Sequence, residues 1–201
     1  MKTMRVSCDS IGVNTAIRTF RNGGIVVFPT DTVYGIGCDP YNKNAIKSLY
    51  KIKKRETSKL FPILGFSKKE LSEIAVFDEM AHKISEKFWP GQITLVLPLR
   101  DKKLKQSLNL DKKIAVRVPK NPCILSILKE CKLVVGTSAN ISGCQSFRDP
   151  EKCIKNISGY DLFVDGGIIS STGESTIVEI NNELRIIRPG IISKDAIMDL
   201  F

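Results

Sequence analysis

Short apolar runs rich in β-branched residues, closed by proline or glycine, alternate with helix-length segments along this chain. That alternation constrains the fold more than any other feature. GIVVFP ends at Pro29, LFPILGF spans Leu60 to Phe66, ITLVLPL covers 93–99 and IAVRVP ends at Pro119. LVVG at 133–136, LFVDGG, STIVEI and LRIIRPG supply further strands or strand ends. Uninterrupted apolar runs of this length suit strands buried on both faces. Between them, Ile11, Ala16, Ile17 and Phe20 fall near helical spacing in 11–21, and Asn22-Gly23-Gly24 stops that helix. Ala45 to Lys54 and Ala81 to Phe88 read as helices, the second broken by Trp89-Pro90-Gly91. Ser67 with Glu70 three residues on forms a capping box, and Pro122 opens a helix through Leu128. Pro150 and Glu151 open a short helix toward Ile154, and Ser193 caps a last helix to Leu200. The polar, Lys-rich stretch Asp101 to Lys113 reads as a surface loop. With no internal repeat and no Ser/Gly linker, the pattern predicts one α/β domain over 1–201 with a largely buried sheet.

Lys plus Arg is 31 against 21 Asp plus Glu, a net charge of +10. Such a balance either meets an anionic partner, such as nucleic acid or nucleotide phosphates, or serves solubility alone. No apolar run approaches the roughly 18 residues of a membrane helix, and MKTMRVSCDS carries no signal-peptide core, so the expected location is the cytoplasm, with no membrane partner. The six cysteines show no Cys-x-x-Cys pair, and His82 is the single histidine. A Cys/His metal site is therefore not expected, and the cysteines read as small buried hydrophobes.

Four polar segments follow or interrupt the apolar strands. Thr30-Asp31-Thr32-Val33-Tyr34-Gly35 follows GIVVFP, where ligands bind in open α/β sheets; it reads as a ligand loop or as a polar turn capping a helix. Lys51-Ile52-Lys53-Lys54-Arg55, with Lys59 nearby, concentrates cations that suit phosphate or a helix C-terminus. Gly136-Thr137-Ser138-Ala139-Asn140-Ile141-Ser142-Gly143 lets backbone N–H groups approach an anion, yet matches neither a P-loop nor a dinucleotide fingerprint. Gly173-Glu174-Ser175-Thr176 and Arg188-Pro189-Gly190 form the fourth group, and Arg117 belongs with them. An arginine inside an apolar strand either sits in a buried ion pair or faces a polar cavity. No Gly-x-Ser-x-Gly elbow is present, and Asp31 and Asp39 have no obvious partner for paired-carboxylate chemistry. A cationic, hydroxyl-rich site works by positioning and electrostatics.

FPTDTVYGIGCD, KIKKR…K, FWPGQITLVL, AVRVP, GTSANISG, GESTIVEI and IIRPG, in this order from about residue 11 to 191, resemble the YrdC/TsaC family of L-threonylcarbamoyladenylate synthases. The resemblance implies a single-domain twisted mixed sheet flanked by helices (YrdC/RibB-like), with a large basic cavity. It implies a nucleotidyltransferase that joins L-threonine, bicarbonate and ATP into threonylcarbamoyl-AMP and pyrophosphate. A threonylcarbamoyl-transferase complex then modifies tRNA beside the anticodon. Mg²⁺ is expected with ATP, not on a dedicated protein site. Some members also bind double-stranded RNA or tRNA. Carried over by motif, Lys53 and Arg55 are the catalytic pair. Thr32, Arg117 and Ser175 fall on threonine-binding positions, and Lys59, Ser138, Asn140, Ser142 and Arg188 on nucleotide-binding ones.

Three departures stand out. Glu56 replaces a frequent proline after Lys-x-Arg, and Leu64 stands where longer relatives carry a histidine. The sequence also ends soon after Arg188, so the second domain of longer relatives is not expected here. The alternative is a non-catalytic RNA-binding module using the same basic cavity. Against it, the 14 aromatic residues lie mostly in core-like positions, not on a stacking face. Hydrogenase-maturation paralogues are far longer and carry zinc motifs absent here.

Overall fold

The computed structural model describes residues 4–181 and 183–201. In chain order its elements are β1 (Met4–Ser7), α1 (Ser10–Arg21), β2 (Val26–Phe28), β3 (Gly35–Gly37), α2 (Lys43–Lys53), β4 (Ile63–Gly65) and α3 (Lys68–Ile74). Then come α4 (Glu79–Phe88), β5 (Ile93–Pro98), α5 (Lys102–Ser107), β6 (Lys113–Arg117), α6 (Pro122–Cys131), β7 (Leu133–Val135) and β8 (Thr137–Ser138). The last are α7 (Pro150–Asn156), β9 (Leu162–Asp165), β10 (Thr176–Asn181), β11 (Glu183–Arg188) and α8 (Lys194–Met198). Side chains cap the helices, at Ser67 and Ser193 as the sequence suggests and at Asp9 and Asn121 beyond that reading. Asp9 accepts from Gly12 N, Asn121 from Cys123 N and Ile124 N, and Ser67 and Glu70 bond to each other at the start of α3.

The mixed α/β class expected from the sequence is the one observed, with its strands divided between two sheets. One runs β1-β9-β2-β3-β8, the other β11-β10-β5-β6-β4-β7. Both mix directions: β2 lies parallel to β9 but antiparallel to β3, and β6 lies parallel to β4 but antiparallel to β5. The chain passes from one sheet to the other at Gly136, between β7 and β8. At that junction Val135 N donates to Cys38 O at 2.9 Å. Gly37 permits the approach, since a Cβ there would lie 1.7 Å from the Val135 carbonyl oxygen. The larger core packs Ile36, Leu49, Phe61, Ile63, Ile93 and Leu95 between the layers. A smaller one joins α1 to α6 through Ile17, Phe20, Ile124 and Leu128. Among the described residues no helix is long and apolar enough to cross a membrane.

Two expectations are corrected. The stretch 101–113 is not simply a loop, because it contains α5. Asp101 caps it by accepting from Lys103 N and Leu104 N, and Leu104, Leu108 and Leu110 are buried. An apolar i,i+4 pair among lysines suffices to dock a short helix. The cysteines are not uniformly small buried hydrophobes either. Cys38 and Cys153 are buried, whereas Cys144 is exposed and Cys131 half-buried. Cys8 and Cys123 form a disulfide across 115 residues of chain. Packing of α1 against α6 brings that pair together, which sequence spacing cannot reveal.

Candidate active site

A cavity of about 390 Å³ opens beside the junction of the two sheets, within the usual range for small-molecule sites. Strands β5, β6, β10 and β11, with the loops after β2 and α2, supply most of its wall. The sheets bring Thr32, Arg55, Arg117, Ser138, Ser175 and Arg188 to this one space.

Thr32 and Arg117 meet on one side. Thr32 is 2 % exposed, and its Oγ1 accepts from Arg117 Nη1 at 3.2 Å. Arg117 also donates from Nε to the Gly91 carbonyl at 2.9 Å and from Nη2 to Asp31 Oδ1 at 2.7 Å. Both readings of Arg117 therefore hold, for it is in a buried ion pair and faces the cavity. Burial pulls its guanidinium below the ordinary arginine value, and Asp31 pushes back. Asp31, which showed no obvious partner in sequence, has found one 86 positions away.

Across the cavity Arg188 pairs with Glu174 and donates from Nη2 to Ser175 O at 2.7 Å and Oγ at 3.2 Å. Ser175 Oγ lies 3.0 Å from Thr94 Oγ1. Arg188 Nε is buried without a protein partner.

Arg55 enters from the end of α2. Its Nε and Nη2 donate to the carbonyls of Lys59 and Leu60 at 2.8 and 2.9 Å, and its guanidinium lies 5.2 Å from the Phe61 ring centroid. Four cations line the cavity: Arg55, Lys113, Arg117 and Arg188. Lys113 pairs with Glu179, Arg117 with Asp31 and Arg188 with Glu174. Among the described residues Arg55 alone of the four has no carboxylate partner, so a ligand phosphate meets it without displacing one.

The other residues singled out in sequence lie elsewhere. Lys53 is 1 % exposed and does not line the cavity; its Nζ donates to the carbonyls of Ser138 and Asn140, the latter at 2.8 Å. It ties the end of α2 to the loop after β8 from behind the cavity wall. Asn140 and Ser142 do not line the cavity either; Asn140 is buried and Ser142 half-buried, and Ser142 N donates to Lys53 O at 2.8 Å. Lys59 is at the surface beside Glu56. Asp31, Thr94, Lys113 and Glu174 escaped selection. Asp31, Thr94 and Glu174 sit inside motifs already quoted, whereas Lys113 ends the stretch that reads as a surface loop.

Burial, then the nearby Arg55, pushes the Lys53 ammonium down to about 8, with Glu174 opposing. The unfolded chain holds that proton to about pH 10.4. Between these values the unfolded state binds more protons, so this contribution to stability rises with pH. We expect the stability difference between wild type and Lys53→Met to grow by up to about 1.4 kcal/mol per unit above pH 8. Urea denaturation from pH 7 to 9.5 checks it, and a flat difference contradicts it. The comparison with Lys53→Met matters because burial raises the thiols of Cys38 and Cys153 to about 12, and their linkage has the opposite sign.

Residues 18–190 match the Sua5/YciO/YrdC family model, whose description reads "Telomere recombination". The chain belongs to this family. Sua5/YciO/YrdC relatives include the threonylcarbamoyl-AMP synthase of Bacillus subtilis, 30 % identical over 97 % of this chain and 58 % of its own length. A putative threonylcarbamoyl-AMP synthase of Methanocaldococcus jannaschii is 34 % identical over 85 % of this chain and 82 % of its own. Among solved structures, Pyrococcus abyssi Sua5 complexed with L-threonine superposes with a TM-score of 0.89 at 27 % identity, covering all of this chain and 61 % of that one. Escherichia coli YciO gives 0.87 at 24 % identity over 98 % of each chain, a likeness of fold. This chain thus spans little more than half the length of some relatives it matches.

Proposed function

We propose that this chain is an L-threonylcarbamoyladenylate synthase, a nucleotidyltransferase working in the cytoplasm. The observation that carries the reading is the cavity itself: one space lined by Thr32, Arg117, Ser175 and Arg188, with one arginine free of any carboxylate. The matched relatives named threonylcarbamoyl-AMP synthase support it. In this reading the amino group of L-threonine condenses with bicarbonate, losing water, to give a carbamate. A carbamate oxygen then attacks the α-phosphorus of ATP, and the bond to pyrophosphate breaks. Thr32 and Ser175 hold the amino acid, and Ser138 and Arg188 face the nucleotide. Arg55 offsets charge gathering on the phosphates. Lys53 contributes through the loop it anchors, not by contact. Mg²⁺ would arrive with ATP; among the described residues no three His, Cys, Asp or Glu side chains cluster as ligands.

The test is incubation with ATP, L-threonine and bicarbonate, following pyrophosphate and the adenylate by mass. Threonine-dependent product supports the reading, and its absence under conditions that keep the protein folded removes it. The product would pass to a threonylcarbamoyl-transferase complex acting on tRNA.

Direct contact with tRNA or double-stranded RNA belongs to the same reading. Its support is the net charge of +10 and a second hollow where Arg100, Lys102, Lys105 and Lys112 outnumber Asp101 and Asp111. We expect weak binding that falls about 10³-fold between 50 and 200 mM salt if six phosphates are neutralised. Filter binding across that range decides it; no binding at 50 mM salt strikes RNA from the partners.

A further inference from the structure

Strand β5 brings one polar side chain to the cavity. Its Ile93, Leu95 and Leu97 are buried in the core, while Thr94 and Val96, which alternate with them, line the cavity. Thr94 is 2 % exposed, yet among the described residues its hydroxyl has a single partner, Ser175 Oγ at 3.0 Å. Ser175 lies just before β10, whose Ile177 is paired with Thr94, and it lines the cavity too. Its Oγ has one further bond, accepted from Arg188 Nη2 at 3.2 Å.

Two hydroxyls hold two protons and four lone pairs. The bond between them uses one proton and one lone pair, and Arg188 takes a second lone pair. Whichever hydroxyl donates, one proton and two lone pairs remain for the cavity, and among the described residues no backbone group claims them. A carboxylate could use only the proton, setting its own lone pairs against those left over. An ammonium could use only the lone pairs. A hydroxyl uses both, because it accepts and donates at once.

We infer that Thr94 and Ser175 together recognise the side-chain hydroxyl of the amino-acid substrate, which makes Thr94 a residue that sets substrate specificity. The inference rests on the synthase reading above and deepens it by assigning the group that separates threonine from valine. ATP also carries hydroxyls, on its ribose. The position of the pair favours the amino acid, because it sits at the Thr32–Arg117 end of the cavity. Gln92, two residues before Thr94, donates to the Asp31 carbonyl at 2.8 Å, and Leu95 is paired with Val116, next to Arg117.

Thr94→Val keeps the shape of the side chain and removes its hydroxyl. Its kcat and KM are measured for L-threonine and for ATP, with L-valine, which has a methyl group in place of the hydroxyl, as a competitive inhibitor against L-threonine. The KM for threonine is expected to rise about 10-fold, the loss of one hydrogen bond in a buried site, while the Ki for valine stays level or falls. The KM for ATP stays within about two-fold of wild type. Thr94→Ser keeps the hydroxyl and should hold the ratio of threonine KM to valine Ki within about three-fold of wild type. A hydroxyl pair that merely joined β5 to β10 would move both constants together. An unchanged ratio in Thr94→Val therefore overturns the inference. So does a rise in the KM for ATP with none for threonine, which would give the pair to the ribose. If Thr94→Val does not fold, Ser175→Ala, which removes the other half of the pair, takes its place with the same expected change in the ratio. Calorimetric titration of each folded variant with the two amino acids must show the same ranking. A wild type that makes no adenylate overturns the functional reading and this inference with it. An active wild type whose variants leave the ratio unmoved overturns this inference alone.

Discussion

Arg55→Ala will lower adenylate synthesis by about 10²–10³-fold, mostly in kcat, with the protein still folded. The magnitude is that of removing one preorganised charge from a site where negative charge gathers in the transition state. Arg55 is the lining cation to which this applies most directly, because Lys113, Arg117 and Arg188 already face Glu179, Asp31 and Glu174. It is also preorganised: the carbonyls of Lys59 and Leu60 and the face of Phe61 fix its guanidinium before any ligand arrives. Those carbonyls lie near the surface and can hydrate once the side chain is gone, so stability should change little. Steady-state kinetics with a thermal melt of the same sample check the claim. Activity within a few-fold of wild type would remove Arg55 from the phosphate site. Lys53→Ala should behave differently, because it leaves the Asn140 carbonyl without its donor and that of Ser138 with Asn140 N alone. Its loss of activity should come with a loss of stability.

Arg117→Met is expected to destabilise the fold by about 3–5 kcal/mol, the usual cost of removing one member of a buried ion pair. For a chain of this length that corresponds to a fall in Tm of roughly 6–20 °C. The cause is the Asp31 carboxylate, which is left in the interior with neither oxygen paired. Replacing both members, as in Asp31→Val with Arg117→Met, removes the orphaned charge and should recover most of the loss. The double variant should nevertheless bind threonine poorly, because Thr32 has lost its donor. Denaturant melts of the two proteins make the comparison. If the single and double variants are equally destabilised, the pair is not what the burial and geometry suggest.

Much of the architecture was legible from the chain alone. GIVVFP, LFPILGF, ITLVLPL and IAVRVP are the strands β2, β4, β5 and β6, because continuous β-branched runs bury themselves whatever surrounds them. Ser67 and Ser193 cap helices as read, because a cap is a contact between near neighbours; Asp9 and Asn121 cap α1 and α6 in the same way but went unread. The two- and three-residue strands β8 and β3 were not legible, since pairing across the sheet creates them and no local pattern does. The α5 helix was hidden for a related reason: its lysines describe the solvated face, while Leu104 is decided by what it packs against.

The site divides along the same line. Sequence motifs picked out Thr32, Arg55, Arg117, Ser175 and Arg188, because chemistry-bearing residues next to apolar strands stand out from their surroundings. They also picked out Lys53, Asn140 and Ser142, and residue type could not say that none of the three would line the cavity. Lys53 is buried behind the cavity because the α2 helix ends with a left-handed Lys54, and the turn carries Arg55 to the cavity. The pairing of Asp31 with Arg117 and of Glu174 with Arg188 was likewise invisible, since each bond joins segments that meet only when the sheets form. Residue identity and local spacing thus determined the strands, the caps and the list of chemical groups. Which of those groups face the cavity, and which cation stays without a carboxylate, was decided by long-range packing, because an ion pair's geometry depends on distances that the chain alone does not specify.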